Sequence, residues 1–192
     1  MSTQADRYTA VAIALHWIIA AMILGQIIGG MYMAGLPLGS EKFELYQAHK
    51  SFGITVLFLS LVRLAWRLAH RPPPLPDGME NWERMAARAS HIVFYALMIG
   101  VPLGGWAVVS ASPLAESVPT LLFGVIPWPH LPFFAGFENR EGIAEALAGM
   151  HGLAGISILG LLLVHVGAAL QHHLIKQDDV LARMLPFLRK SS

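Results

Sequence analysis

The chemistry open to this chain is set by nine histidines and no cysteine. Four of the histidines fall in residues 150–173, MHGLAGISILGLLLVHVGAALQHH, a stretch otherwise apolar enough to sit in a bilayer. His151 and His165 are fourteen residues apart. At about 100° and about 1.5 Å per residue they share one helix face, offset by about 40° and separated by about 21 Å. They then lie near opposite edges of a hydrocarbon core about 30 Å thick. Polar side chains at that depth are costly and usually functional. Imidazole binds iron, zinc or copper and is the usual axial ligand of haem. One helix with a ligand near each membrane face points to two stacked haems. Without cysteine there are no disulfides, thiolate zinc sites, iron–sulfur clusters or CxxCH attachment, so such a haem is a non-covalent b haem.

Composition says what must position these ligands. The chain has 192 residues, 55% hydrophobic and only 13% charged, with a mean hydropathy of +0.56. A soluble domain carries about a quarter charged residues, so this is a membrane protein. Its length allows one domain, residues 1–192. Formal net charge is only +1; the distribution of charge matters more than the sum, and no nucleic-acid partner is expected.

The predicted fold is all-α, an integral membrane four-helix bundle with spans near residues 11–33, 49–69, 90–109 and 147–171. The first run is longer than a signal-peptide core and has no small-x-small site directly behind it, which favours a retained helix. Residues 34–48 read as a short polar connection, and 70–77, HRPPPLPD, as a proline-stiffened link that cannot be helical throughout. Residues 80–89 read as an amphipathic lead-in. Pro102, Gly104 and Gly105 predict a kink or local opening in the third span. The long connection, 110–146, is apolar and proline-rich and reads as an interfacial flap or lid. A basic tail follows residue 176.

Orientation follows from Lys and Arg. One side holds Arg7, Arg67, Arg71, Arg84, Arg88, Lys176, Arg183, Arg189 and Lys190; the other holds Lys42, Lys50 and Arg140. Both termini are therefore expected in the cytoplasm. The outer layer then contains His49 and His151. The inner layer contains His16, His165, His91 and His172. Bis-histidine haem needs two imidazoles at one depth on facing helices, which pairs His49 with His151 outside and His16 with His165 inside. Glycine follows His49 and His151 by four residues, in HKSFGI and HGLAGI, where it would let a flat macrocycle lie against the backbone. Arg63 and Arg67 sit at inner depth and could pair with propionates, or snorkel to headgroups. His70 and His130 read as solvated loop residues, and His173 is unassigned. A transition-metal transporter would also place histidines in its spans, but usually adds carboxylates or sulfur there.

The sequence resembles the bacterial cytochrome b561 family over nearly its whole length. The resemblance rests on LHW at His16, HKSFGI…LVRLAWRL from His49, SHIVFYALMIGVPLGG from His91, the MHG…LLLVH pair, and LQHH before a basic tail with Met-Leu-Pro. It implies a multi-pass protein of the bacterial inner membrane with two b haems exchanging electrons with quinone. It further implies a superoxide oxidase type of activity, in which superoxide gives its electron at the outer face and ubiquinone is reduced at the inner face. The resemblance places His49 and His151 at the outer haem, His16 and His165 at the inner one, and His91 and His172 at the quinone end as candidate catalytic residues. The expected partners are lipid, quinone and either superoxide or a redox protein. The alternative is a haem-bearing anchor that takes electrons from a dehydrogenase or hydrogenase. Fast capture of an anion calls for a positive outer surface. The outer segments are net acidic by count, with Glu41, Glu44, Glu116, Glu138, Glu141 and Glu145 against three cations, unless folding segregates them.

Overall fold

The computed structural model describes residues 7–76 and 78–188. Arg189 and Lys190 of the predicted basic tail lie outside the described residues. Four long helices dominate: α1, Ala10–Gly35; α2, Ser40–Ala69; α3, Asn81–Ala111; and α4, Arg140–Gln171. All four are long and apolar enough to cross a membrane. Consecutive helices pack against one another, and α4 closes on α1. The fold is the expected all-α four-helix bundle.

Two helices begin earlier than the sequence predicts. The polar segment 40–48 is not a connection but the first turns of α2, so only residues 36–39 join α1 to α2. Likewise α4 starts at Arg140 rather than near residue 147. In both places charged residues occupy the end of a helix that projects beyond its apolar span, and hydropathy cannot distinguish that from a loop. Asn139 caps α4 by accepting from the Gly142 N–H at 3.1 Å. A Cβ on Gly142 would lie 2.7 Å from the Asn139 amide, so a larger residue there would have to displace the capping side chain. The lead-in before the third span is continuous with it, and α3 runs as one helix through Pro102.

Apolar side chains cover the outside of the bundle. Ile28, Phe58 and Leu163 are each about two-thirds exposed, as lipid-facing residues must be. The most deeply buried side chains are small: Ser51, Ser60 and Ser110. Small residues let membrane helices approach closely, and Ser51 and Ser110 bond the carbonyls of Gln47 and Trp106 one turn back, both at 2.8 Å.

The long connection has structure of its own. It contains a hairpin of β1, Thr120–Leu122, and β2, Ile126–Trp128, then a 3-10 turn, Pro132–Gly136. The hairpin turn holds Phe123 at φ 52° and Gly124 at φ 75°. Ser51 Oγ, on α2, accepts from the Phe123 N–H at 2.9 Å, and Phe52 meets the Phe123 ring edge-on at 5.4 Å. Trp106 Nε1 donates to Pro129 O at 2.8 Å. The connection is thus fastened to α2 and α3.

At the opposite, arginine-rich end, α4 passes into one π-helical turn, His172–Lys176. Gln177 at φ 55° then reverses the chain. The returning tail is tied down at several points. Lys176 pairs with Glu83 of α3, Arg183 donates to Pro74 O, and Trp17 Nε1 of α1 donates to Met184 O at 2.9 Å.

Candidate functional site

Because α4 is unbroken from Arg140 to Gln171, His151 and His165 keep their helical spacing of about 21 Å. Each meets an imidazole from another helix. His49 of α2 faces His151 with ring centroids 6.0 Å apart. His16 of α1 lies 6.2 Å from His165, and His91 of α3 lies 6.2 Å from His165 as well. An iron between two imidazoles, with metal–nitrogen bonds of about 2 Å and half a ring on each side, places ring centres about 6 Å apart. Both layers therefore fit a metal held between facing rings.

The hydrogen bonds of the hairpin-end pair fit the same role. His151 Nδ1 lies 3.0 Å from Val101 O. Donation to that carbonyl puts the proton on Nδ1 and leaves Nε2 a lone pair, the usual arrangement of a metal-bound histidine. His49 Nδ1 is buried with no hydrogen-bond partner. Helix backbones approach both rings closely. A Cβ on Gly105 of α3 would lie 2.9 Å from His151 Cε1, and one on Gly30 of α1 would lie 3.3 Å from His49 Cε1. These are the glycines that make room at this layer. The pair expected from sequence serves differently: a Cβ on Gly53 would meet the Gln26 amide at 3.3 Å, and nothing lies within 4 Å of one on Gly155. Gln26 donates to His49 O at 2.8 Å, so Gly53 admits the side chain that braces the His49 backbone.

In the other layer, Arg63 Nη1 donates to Ala12 O at 2.7 Å, and Nη2 stands 3.4 Å from His16 Nδ1. The second distance is a contact longer than an ordinary hydrogen bond. Arg67 lies 6.0 Å over the Tyr95 ring. Both arginines line a cavity of about 50 Å³ with Arg7, Tyr8, Trp66 and Arg71. Phe94 meets His165 edge-on at 5.2 Å.

His172 stands apart from the His165 cluster. It is buried, and its Nδ1 lies 2.5 Å from Asp178 Oδ2 in the returning tail. His70 is exposed and stacks on Trp66 at 4.0 Å. His130 is not the solvated residue that its place in a loop implies. Its Nε2 lies 3.3 Å from Thr120 Oγ1, which also accepts from Lys50 Nζ at 3.2 Å. Burial, then the Lys50 and Arg140 cations, push His130 below the usual imidazole value. Among the described residues, no group of three or more His, Asp or Glu side chains is arranged to hold a metal ion.

Four membrane-length helices with imidazoles facing one another inside them make the architecture of a membrane cytochrome. The family profile of prokaryotic cytochrome b561 matches residues 7–187, and the chain belongs to that family. It is 30% identical over 182 residues to cytochrome b561 homolog 2 of Escherichia coli, covering 94% of this chain and 92% of that protein. It is 26% identical over 180 residues to the probable superoxide oxidase CybB of Yersinia pestis, covering 94% and 96%. It is also 28% identical over 192 residues to cytochrome b562 of Cereibacter sphaeroides, covering 95% and 98%. The protein is thus a multi-pass bacterial membrane cytochrome of the haem b type, and its work is electron transfer.

The sequence reading missed Asp178, Gly30 and Gly105 as site residues. Gly105 stands out in the sequence only as part of the kink-prone stretch with Pro102, and Gly30 only as a small residue within a span. Asp178 does not stand out at all.

Proposed function

We propose that this protein holds two b haems, on His49 with His151 and on His16 with His165, and passes electrons from superoxide at one membrane face to ubiquinone at the other. The single observation that carries this is the pair of imidazole layers, 6.0 and 6.2 Å between ring centroids, on one continuous helix. Bound there, haem supplies a one-electron store at each depth. The balanced reaction is two superoxide plus quinone plus two protons, giving two dioxygen plus quinol.

The chain's own residues divide that work. His16 is preferred over His91 as the inner ligand because Arg63 lies against His16 itself, where a propionate would meet a guanidinium; Arg67 offers a second. His91 and His172 serve the quinone end, with imidazole N–H groups to hold the carbonyls. The excess of Lys and Arg at that end puts it in the cytoplasm, together with both termini, in the bacterial inner membrane.

Of the outer carboxylates, Glu116 is paired with Arg140 at 3.2 Å. Lys50, next in sequence to His49, has no carboxylate partner among the described residues. It supplies the local positive charge that an incoming anion needs. Lys50→Gln is expected to slow superoxide oxidation roughly threefold to tenfold at low ionic strength, with the gap closing in high salt. A loss that salt does not change would mean Lys50 acts otherwise than by steering.

The test of the whole reading is haem per polypeptide by pyridine haemochrome, then reduction by superoxide and reoxidation by a short-chain ubiquinone. Two b haems, reduced by superoxide and reoxidised by quinone, are expected. Absence of haem would end the proposal. Haem that superoxide cannot reduce, but a co-purifying dehydrogenase can, would make the protein a haem-bearing anchor.

A further inference from the structure

The tail folds back over the arginine-rich end of the bundle to bring one carboxylate to one buried imidazole. The chain leaves α4 through the π-helical turn His172–Lys176 and reverses at Gln177, the residue with left-handed φ. Single π turns in long helices mark functional positions often enough to warrant inspection. Here the turn places Asp178 so that both carboxylate oxygens are engaged. Oδ2 lies 2.5 Å from His172 Nδ1, and Oδ1 accepts from the Val180 N–H at 3.1 Å. The His172 side chain is 9% exposed and that of Asp178 is 21% exposed. The imidazole is therefore inside the protein, while the carboxylate has an edge in water.

We propose that Asp178 is the positioning residue for His172, and that the two form a proton relay from water to the quinone reduced at this end. The inference rests on the quinone reading above. Asp178 keeps a proton on His172 Nδ1 and fixes the ring, which leaves Nε2 as the atom that exchanges protons. When the ring carries a second proton, on Nε2, the adjacent carboxylate offsets its charge. Quinone takes two electrons, delivered from superoxide through the protein, and two protons to become quinol. Each proton that leaves Nε2 for a quinone oxygen leaves a neutral ring whose Nδ1–H stays on Asp178, and a proton from water then reloads Nε2. His172 itself is only the donor; without Asp178 it has neither a fixed tautomer nor a carboxylate to offset the charge of the doubly protonated ring.

The other charged groups facing the dyad are already satisfied. Glu83 of α3 is paired with Lys176 of the same turn. Asp179, next to Asp178, is paired with Arg183 at 2.9 Å. Asp178 is thus the carboxylate left for His172 among the described residues of this end.

The experiment uses the full-length haem-loaded protein in detergent or liposomes. Pre-reduced wild type, Asp178→Asn, Asp178→Ala and Asp178→Glu are mixed with a short-chain ubiquinone, and haem reoxidation is followed by stopped flow. Haem content and the reduced-minus-oxidised spectrum serve as the fold check. Asp178→Asn is expected to lower the reoxidation rate about 10- to 100-fold without changing the quinone concentration needed for half-maximal rate. Asp178→Glu should restore much of it, and formate or azide should rescue Asp178→Ala. A merely structural aspartate would not be rescued by a small acid in solution. Wild-type rates in Asp178→Asn, or slow variants that formate, azide and glutamate all fail to restore, would overturn the relay and leave the quinone reading standing. If the Asp178 variants lose haem, a solvent deuterium isotope effect on wild-type reoxidation decides: an effect supports the relay, and its absence overturns it. Failure of wild type itself to be reoxidised by quinone would overturn the relay and the quinone reading together.

Discussion

His165→Ala is expected to remove the inner haem and stop reduction of quinone, while the outer haem stays bound and still accepts electrons. The expectation is strong because His165 is the hub of its layer. Both rings that could face it, His16 and His91, lie 6.2 Å from it, so whichever serves as partner depends on His165. Haem content should fall from about two to about one per chain, read by pyridine haemochrome. Turnover with superoxide and quinone should fall by at least about a hundredfold, because electrons captured outside would have no store at the quinone end. The two partners are then separated by their own substitutions. His16→Ala should repeat the loss of haem. His91→Ala should keep both haems and slow only the quinone step. The reverse pattern would make His91 the ligand.

His151→Ala is the complementary expectation: the outer haem goes and the inner one remains. Superoxide then no longer reduces the protein, whereas quinol still reduces the remaining haem from the inner side. Gly105→Val tests the same layer without touching a ligand. A Cβ at Gly105 would sit 2.9 Å from His151 Cε1, and the contact is with a ring held by Val101 O, not the free end of a flexible chain. Displacement of about an ångström at a coordinating ring is enough to lose most binding. Both variants should therefore show the same loss of one haem and the same surviving spectrum. Retention of both haems in His151→Ala would mean that His49 and His151 are not a ligand pair.

Much of this protein is visible along its sequence because membrane helices are read from local properties alone. Apolar length finds the spans, and helical periodicity puts His151 and His165 on one face at two depths whatever surrounds them. The absence of cysteine limits any haem to non-covalent binding, and Lys and Arg placement gives the expected orientation. Contacts between helices have no such local code. Which ring meets His165, why α3 and α1 carry glycine at 105 and 30, and why Gln26 reaches Gly53 all depend on how four helices rotate and how closely they approach. Those are set by mutual packing in a lipid environment that treats all apolar faces alike. The helix ends escaped for a related reason: a polar turn such as 40–48 has the same hydropathy whether helical or not. Asp178 escaped because a left-handed residue at Gln177 redirects the chain, and an aspartate in a hydrophilic tail has nothing to mark it until the fold returns it to His172. The depths of the histidines are thus a property of the chain, and their partners a property of the bundle.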